Sequence, residues 1–255
     1  MQVPITTLAI KTFNEGHIEV VKKFLKSKLK GLKVKTQVCG TLNNWVQASI
    51  SGEDENIALR YISDEVGVCP NTIEEIAKFS PLKGYITAIN KDRITLDIGV
   101  FSPQKVEATL TLQHLQAQLA DGRKLALKKL AELYGFCENL PLTVKASTIN
   151  MEENIVETTF SEKQLKIYRN WTKSLLDRLI ILGATREEIM SSLRTTRCLR
   201  DIVDVEPLGI FEHAITCKLG TDAAGLIPKI GRQLPNSILT VFNPRKIFEF
   251  FREIG

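Results

Sequence analysis

The chain has 255 residues, 44% of them apolar and 25% charged, with a formal net charge of +5. That length suits one large domain or two to three small ones, and no apolar run is long enough to cross a bilayer. The small positive excess permits an anionic partner without demanding one, and five dispersed cysteines with three histidines make no zinc spacing.

The opening MQVPITTLAIKTFNEG has neither a basic region nor a long apolar block, so no secretory signal is expected. Residues 3–13 read as a strand rich in β-branched side chains. Asn14 is placed to cap a helix over 15–30, where Ile18, Val21, Phe24, Leu25 and Leu29 share one face. Gly31 ends it. Two alternating strands follow around Asn43-Asn44, then an amphipathic helix over 53–66.

In the middle, SPLKGYITAINKDRITLDIGV gives two strands about a turn at 90–92, and KVEATLTL a third. DGRKLALKKLAELYG is a helix, and LPLTVKASTINMEENIVETTF a hairpin turning near 152–154. Three strands, a helix and two strands is the order of a five-stranded OB barrel.

Ser161 with Gln164 makes a capping box for the next helix, to about residue 176. A buried strand covers 178–183, and Thr185 caps a helix over 186–197. DIVDVEPL and IFEHAITCKL are strands, a helix lies within 222–234, SILTVF is a strand, and Asn243-Pro244 opens a final helix. From 178 to 243 the order is βαββαβ, which is ferredoxin-like. The expected fold is therefore α+β and multi-domain: ferredoxin-like units of βαββα (1–79) and βαββαβ (161–255) order flank an OB-like barrel (80–160). The last unit carries an extra helix at each end.

CKLGTDAAGLIPKIGRQLPNS, residues 217–237, invites a phosphate-loop reading. Its glycines lack the spacing of a dinucleotide loop, and Gly225 is followed by Leu226 and Ile227 instead of Lys and Ser or Thr. What remains is a helix cap at Thr221 or Asp222, or a contact surface made by Lys218, Lys229 and Arg232. A second basic set is KKFLKSKLKGLKVK (22–35), seven lysines without an acid, with Lys22, Lys23, Lys26 and Lys30 opposite Phe24 and Leu25. A third is Arg123, Lys124, Lys128 and Lys129. Each is either a solvated face or a surface that positions a phosphate backbone without reading bases.

For catalysis the signals are structural. Glu53-Asp54, Glu74-Glu75, Glu152-Glu153 and Glu187-Glu188 occupy helix starts or turns, their ordinary places. Asp201 and Asp204 have no local histidine, and His213 sits on a strand with Phe211 and Ile215 on its face. The cysteines read as reduced residues of a cytoplasmic protein. No cofactor and no catalytic motif are expected.

Two resemblances follow. Gly84-Tyr85-Ile86, Asp97-Ile98-Gly99 and the run Leu110 to His114 resemble the ribosomal S-one-type RNA-binding barrel over about seventy residues. That resemblance implies that Tyr85 and His114 face single-stranded RNA. The second strand departs from the family, having no aromatic before Phe101, which weakens a stacking platform. The whole chain, through DRLIILGATREEI, EHAITCKLGTDAAGLIPKIGRQLP and VFNPRKI, resembles an archaeal family, number twenty-one-ten among the domains of unknown function. It implies an archaeal cytoplasmic protein. The function expected is a non-catalytic RNA-binding or ribonucleoprotein-associated factor of translation or transcription. The alternatives are a protein-assembly factor, as a homodimer or with another protein through a sheet edge, and a small-molecule binder. No membrane partner is expected.

Overall fold

The computed structural model describes residues 5–253. The first unit is β1 (Ile5–Lys11), α1 (Gly16–Lys28), β2 (Val34–Leu42), β3 (Trp45–Gly52) and α2 (Glu55–Glu65). Its antiparallel sheet has the order β1-β3-β2. Strand alternation puts Val46, Ala48 and Ile50 of β3 under the helices, against Leu8, Val21, Leu25 and Ile62. The β2–β3 hairpin turns on Asn43 and Asn44, both left-handed (φ 49° and 70°), a conformation that asparagine tolerates. Of the expected first strand, Val3 and Pro4 lie outside the described residues.

Asn14 does not cap α1. Its amide sits 2.9 Å from His17 Nε2, and His17 Nδ1 accepts the Phe13 N–H at 3.2 Å. The imidazole thus ties down the chain just ahead of α1, and no side chain caps the helix. Its ring also stacks on Phe211 of the third unit, with centroids 3.7 Å apart and planes at 9°.

The second unit is a closed barrel of β4 (Pro81–Ile89), β5 (Arg93–Asp97), β6 (Glu107–Thr111), β7 (Pro141–Asn150) and β8 (Ile155–Phe160). The order β4-β5-β6-β8-β7, with β6 and β8 parallel and β7 returning to β4, is that of an OB barrel. Two helices lie between β6 and β7, α3 (Leu112–Leu119) and α4 (Leu127–Tyr134), where the sequence suggested one. Leu112 to His114 are not the end of a strand. The Thr111 hydroxyl accepts the His114 N–H at 3.4 Å, so Thr111 caps α3 and turns the chain there.

The third unit is β9 (Arg178–Leu182), α6 (Arg186–Thr195), β10 (Ile202–Pro207), β11 (Glu212–Cys217), α7 (Ile227–Ile230) and β12 (Ile238–Phe242). Before it runs α5 (Glu162–Ser174), and after it α8 (Pro244–Glu253). The sheet order β10-β11-β9-β12 is ferredoxin-like. Thr185 and Glu188 form the full capping box of α6. At α5 only half a box forms. Ser161 accepts the Gln164 N–H at 3.1 Å, but the Gln164 side chain accepts the Thr143 N–H (3.0 Å) and so ties α5 to the barrel.

The helix expected within 222–234 is a 3-10 turn at 224–226 followed by the four-residue α7. Pro228 has no N–H to donate, so it belongs in a first turn, and the α-helix starts late. Asp222 accepts the Ala224 N–H at 3.0 Å in a local turn, but neither the 3-10 turn nor α7 has a side-chain cap, so Thr221 and Asp222 do not cap a helix there.

Both faces of the third sheet are covered. Leu179, Ile181 and Ile215 pack under α6 and α7 with Ile189, Leu193 and Ile230. Ile180, Leu182, Ala214 and Phe242 join the barrel core together with Tyr134, Tyr168 and Trp171. All five residues of β9 are buried as a result. The face that a lone ferredoxin-like sheet leaves open is closed here by α5, α8 and the barrel.

Candidate nucleic-acid interface

On α5, Leu165, Tyr168 and Trp171 point inward at helical spacing, so Lys163, Lys166, Arg169 and Lys173 are left outside, and all four are exposed. α8 packs against both α5 and α4. It buries Ile247 and half-buries Phe250 and Phe251, leaving Arg245, Lys246, Phe248, Glu249 and Arg252 exposed. Lys129 of α4 lies over the Phe250 ring at 4.9 Å. Arg123 covers the Phe251 ring at 5.6 Å and donates to the Phe251 carbonyl at 2.9 Å.

The three helices therefore form one layer, with α8 in the middle. Residues 121–134, 162–174 and 244–253 hold eleven lysines and arginines against five acids. That excess of six exceeds the +5 of the whole chain, so the remainder is slightly acidic. Lys124 and Lys128 stand exposed on this layer. Lys218 joins it through a small cleft of about 170 Å³ that it lines with Asp177, Asp222, Asn243 and Arg245.

The other expected cations do not join. Lys229 and Arg232 are exposed beside α7, across the third sheet from α5 and α8. Lys22, Lys23 and Lys26 are exposed on α1, and Lys30 is exposed in the turn after it. Much of that lysine run is neutralised: Lys22 pairs with Glu19 (2.6 Å), Lys28 with Glu65, and Lys33 with Glu53 (2.7 Å). A cleft of about 880 Å³, lined by Phe24 on one side and by Lys163 and Trp171 on the other, separates α1 from α5.

Tyr85 is 1% exposed, so no base can stack on it in this arrangement. Its ring meets Trp45 edge-on at 5.2 Å, and the ammonium groups of Lys11 and Lys83 each lie 5.8 Å from its centroid. Lys11 also pairs with buried Asp97 at 3.8 Å, and Asp97 accepts the Gly99 N–H at 3.0 Å. Gly99 is left-handed (φ 74°), and a Cβ there would press on Cys69 and Trp45. From the third unit Glu212, 1% exposed, enters the same junction. Gly209 covers its carboxylate so closely that a Cβ there would overlap it. Thus the barrel face that carries Tyr85 is spent on holding the first and third units. His114 is half-buried at the start of α3, and its Nδ1 is buried without a hydrogen-bond partner.

Burial governs the chemistry of this junction. It pushes Glu212 up to about 7, against the pull of Lys83. Lys83 is lowered by burial, with Glu212 opposing. The Cys69 thiol is pushed up to about 12, chiefly by burial, and stays protonated at neutral pH. His213, 2% exposed, is lowered by burial to about 4 and is neutral there. Among the described residues no group of three or more His, Cys, Asp or Glu side chains is arranged to hold a metal ion. No helix of the described residues is long and apolar enough to cross a membrane.

Sequence reasoning missed Lys163, Lys166, Arg169, Lys173, Arg245, Lys246 and Arg252. The helical spacing of cations opposite Leu165, Tyr168 and Trp171 was the available signal for the first four. Glu212 and Lys83 had none, because their burial arises only when the units meet.

No curated protein sequence matches this chain. Among solved structures, an uncharacterized protein from Methanocaldococcus jannaschii is 15% identical with a TM-score of 0.25, covering 34% of this chain and 96% of its own. The intact alpha subunit of aIF2 from Pyrococcus abyssi is 9% identical with a TM-score of 0.28, covering 66% and 97%. A chain of the a/eIF2alpha-aDim2p-rRNA complex from Pyrococcus horikoshii is 7% identical with a TM-score of 0.27, covering 48% and 63%. Scores this low do not establish a shared overall arrangement. The DUF2110 N-terminal, central and C-terminal domain models match residues 5–72, 80–172 and 176–242, and the chain belongs to the DUF2110 family.

Proposed function

We propose that the protein is a non-catalytic RNA-binding factor that grips the phosphate backbone through the layer of α5, α8 and α4. The concentration of six excess positive charges on three contiguous helices and the loop leading into α4 carries this reading. A backbone contact of this kind positions a nucleic acid without selecting a sequence. Translation and transcription particles of the cytoplasm are the complexes in which we would look for it.

The reading is tested by anisotropy of a labelled single-stranded RNA over a salt series with the full chain. Binding should weaken linearly on a log–log plot, with a slope of about −0.7 per phosphate contacted. Reversing Lys166, Arg169 and Lys246 to Glu together should flatten that slope. Binding that ignores salt, or its absence at low salt, overturns the reading.

The alternative, assembly through a sheet edge, has β2 as its most exposed strand. That edge carries exposed Lys35 and a register irregularity between Val38 and Gly40. Both features discourage strand addition, so this reading is less favoured.

A further inference from the structure

We infer that Phe248 is a base-stacking platform, and that the layer of α5, α8 and α4 takes single-stranded RNA in preference to duplex. The inference rests on the RNA-binding reading and adds what kind of RNA is held. Phe248 is 56% exposed in the middle of α8. The helix does not need it for docking, because Ile247, Phe250 and Phe251 already face inward. An isolated exposed apolar side chain is ordinary. Phe248 differs in what surrounds it.

Arg245 and Arg252 lie three residues before and four after it, and so on the same side of the helix, about 10 Å apart along the axis. Both are exposed, and neither has a carboxylate within ion-pair distance among the described residues. Glu249 lies four residues after Arg245 and three before Arg252, on the side of the two arginines away from Phe248. The neighbouring rings of Phe250 and Phe251 are already covered by Lys129 and Arg123. Phe248 is the ring of α8 that remains open, flanked by exposed cations.

An open aromatic face between cations is how single-stranded nucleic acids are held: the cations track phosphates and the ring takes a base. A duplex keeps its bases stacked inside and offers only backbone and groove edges to such a surface. The cations therefore serve both forms of RNA, while the ring serves only the single strand.

The experiment compares a labelled twelve-nucleotide oligouridine with an RNA duplex of the same length. The full chain is measured as wild type, Phe248→Ala, Phe248→Tyr and Arg245→Glu/Arg252→Glu. We expect tighter binding of the single strand. Phe248→Ala should weaken it about tenfold, the duplex less than twofold, and Phe248→Tyr should restore it. The double arginine reversal should weaken both. If the wild type prefers the duplex, or if Phe248→Ala leaves single-strand binding unchanged or weakens both RNAs equally, the inference fails while the RNA-binding reading stands. If the wild type binds neither RNA at low salt, that reading itself has failed.

Discussion

Charge is gathered in two regions, and it does opposite things in them. At the junction of the three units, Lys11, Asp97 and Glu212 are buried and Lys83 half-buried around Tyr85 and Trp45. Their fields act at short range in a medium of low polarity, and burial raises Glu212 and lowers Lys11 and Lys83. On the outer layer, the cations of α5 and α8 stand in water, where salt screens each of them within about 10 Å. Groups of the first kind fix how domains sit. Groups of the second kind act through their sum on a long, highly charged partner.

The sharpest separation comes from Trp45→Ala. Trp45 is fully buried against Tyr85, so the substitution should cost about 3–5 kcal/mol in urea unfolding. At temperatures where the variant is folded, RNA affinity should be unchanged. Gly209→Ala is next. It drives a methyl into the Glu212 carboxylate and should destabilise by about 1–3 kcal/mol, read from the shift in unfolding midpoint.

The pH dependence is smaller and has a definite sign. Glu212 titrates at about 7 in the fold and near its ordinary 4.5 when unfolded. The folded chain therefore holds the proton more tightly between those values. Glu212 lowers stability as pH rises through that window, by up to about 1.4 kcal/mol per pH unit. Glu212→Gln should remove that component and flatten the profile, measured as unfolding midpoint from pH 5 to 8. Steeper loss in the variant than in the wild type would contradict the junction's electrostatics.

The least effect on the fold is expected from the outer layer. Lys166→Glu with Lys173→Glu should leave the unfolding midpoint in place, since both side chains are exposed. The same pair should weaken RNA binding at low salt several-fold, and less at high salt. A variant that shifted both stability and binding would erase the distinction between the two regions.

Much of this organisation is local and was legible in the sequence. Alternation marked the barrel strands, the Thr185–Glu188 box fixed the start of α6, and Asn43-Asn44 announced a hairpin, because such signals depend on neighbours a few residues apart. Pro228 acts over the same short range, setting the late start of α7. Tertiary structure decided what lies beyond that range. Tyr85 has the surroundings of a stacking residue in sequence, yet Trp45 and Lys11, brought from the first unit, pack against it and it is buried. Lys163 to Lys173 and Arg245 to Arg252 are separated by seventy residues, and only the packing of α5 on α8 makes them one surface. The carboxyl of Glu212 reads as an ordinary strand residue until three units close over it, since desolvation is a property of the enclosure and not of the residue.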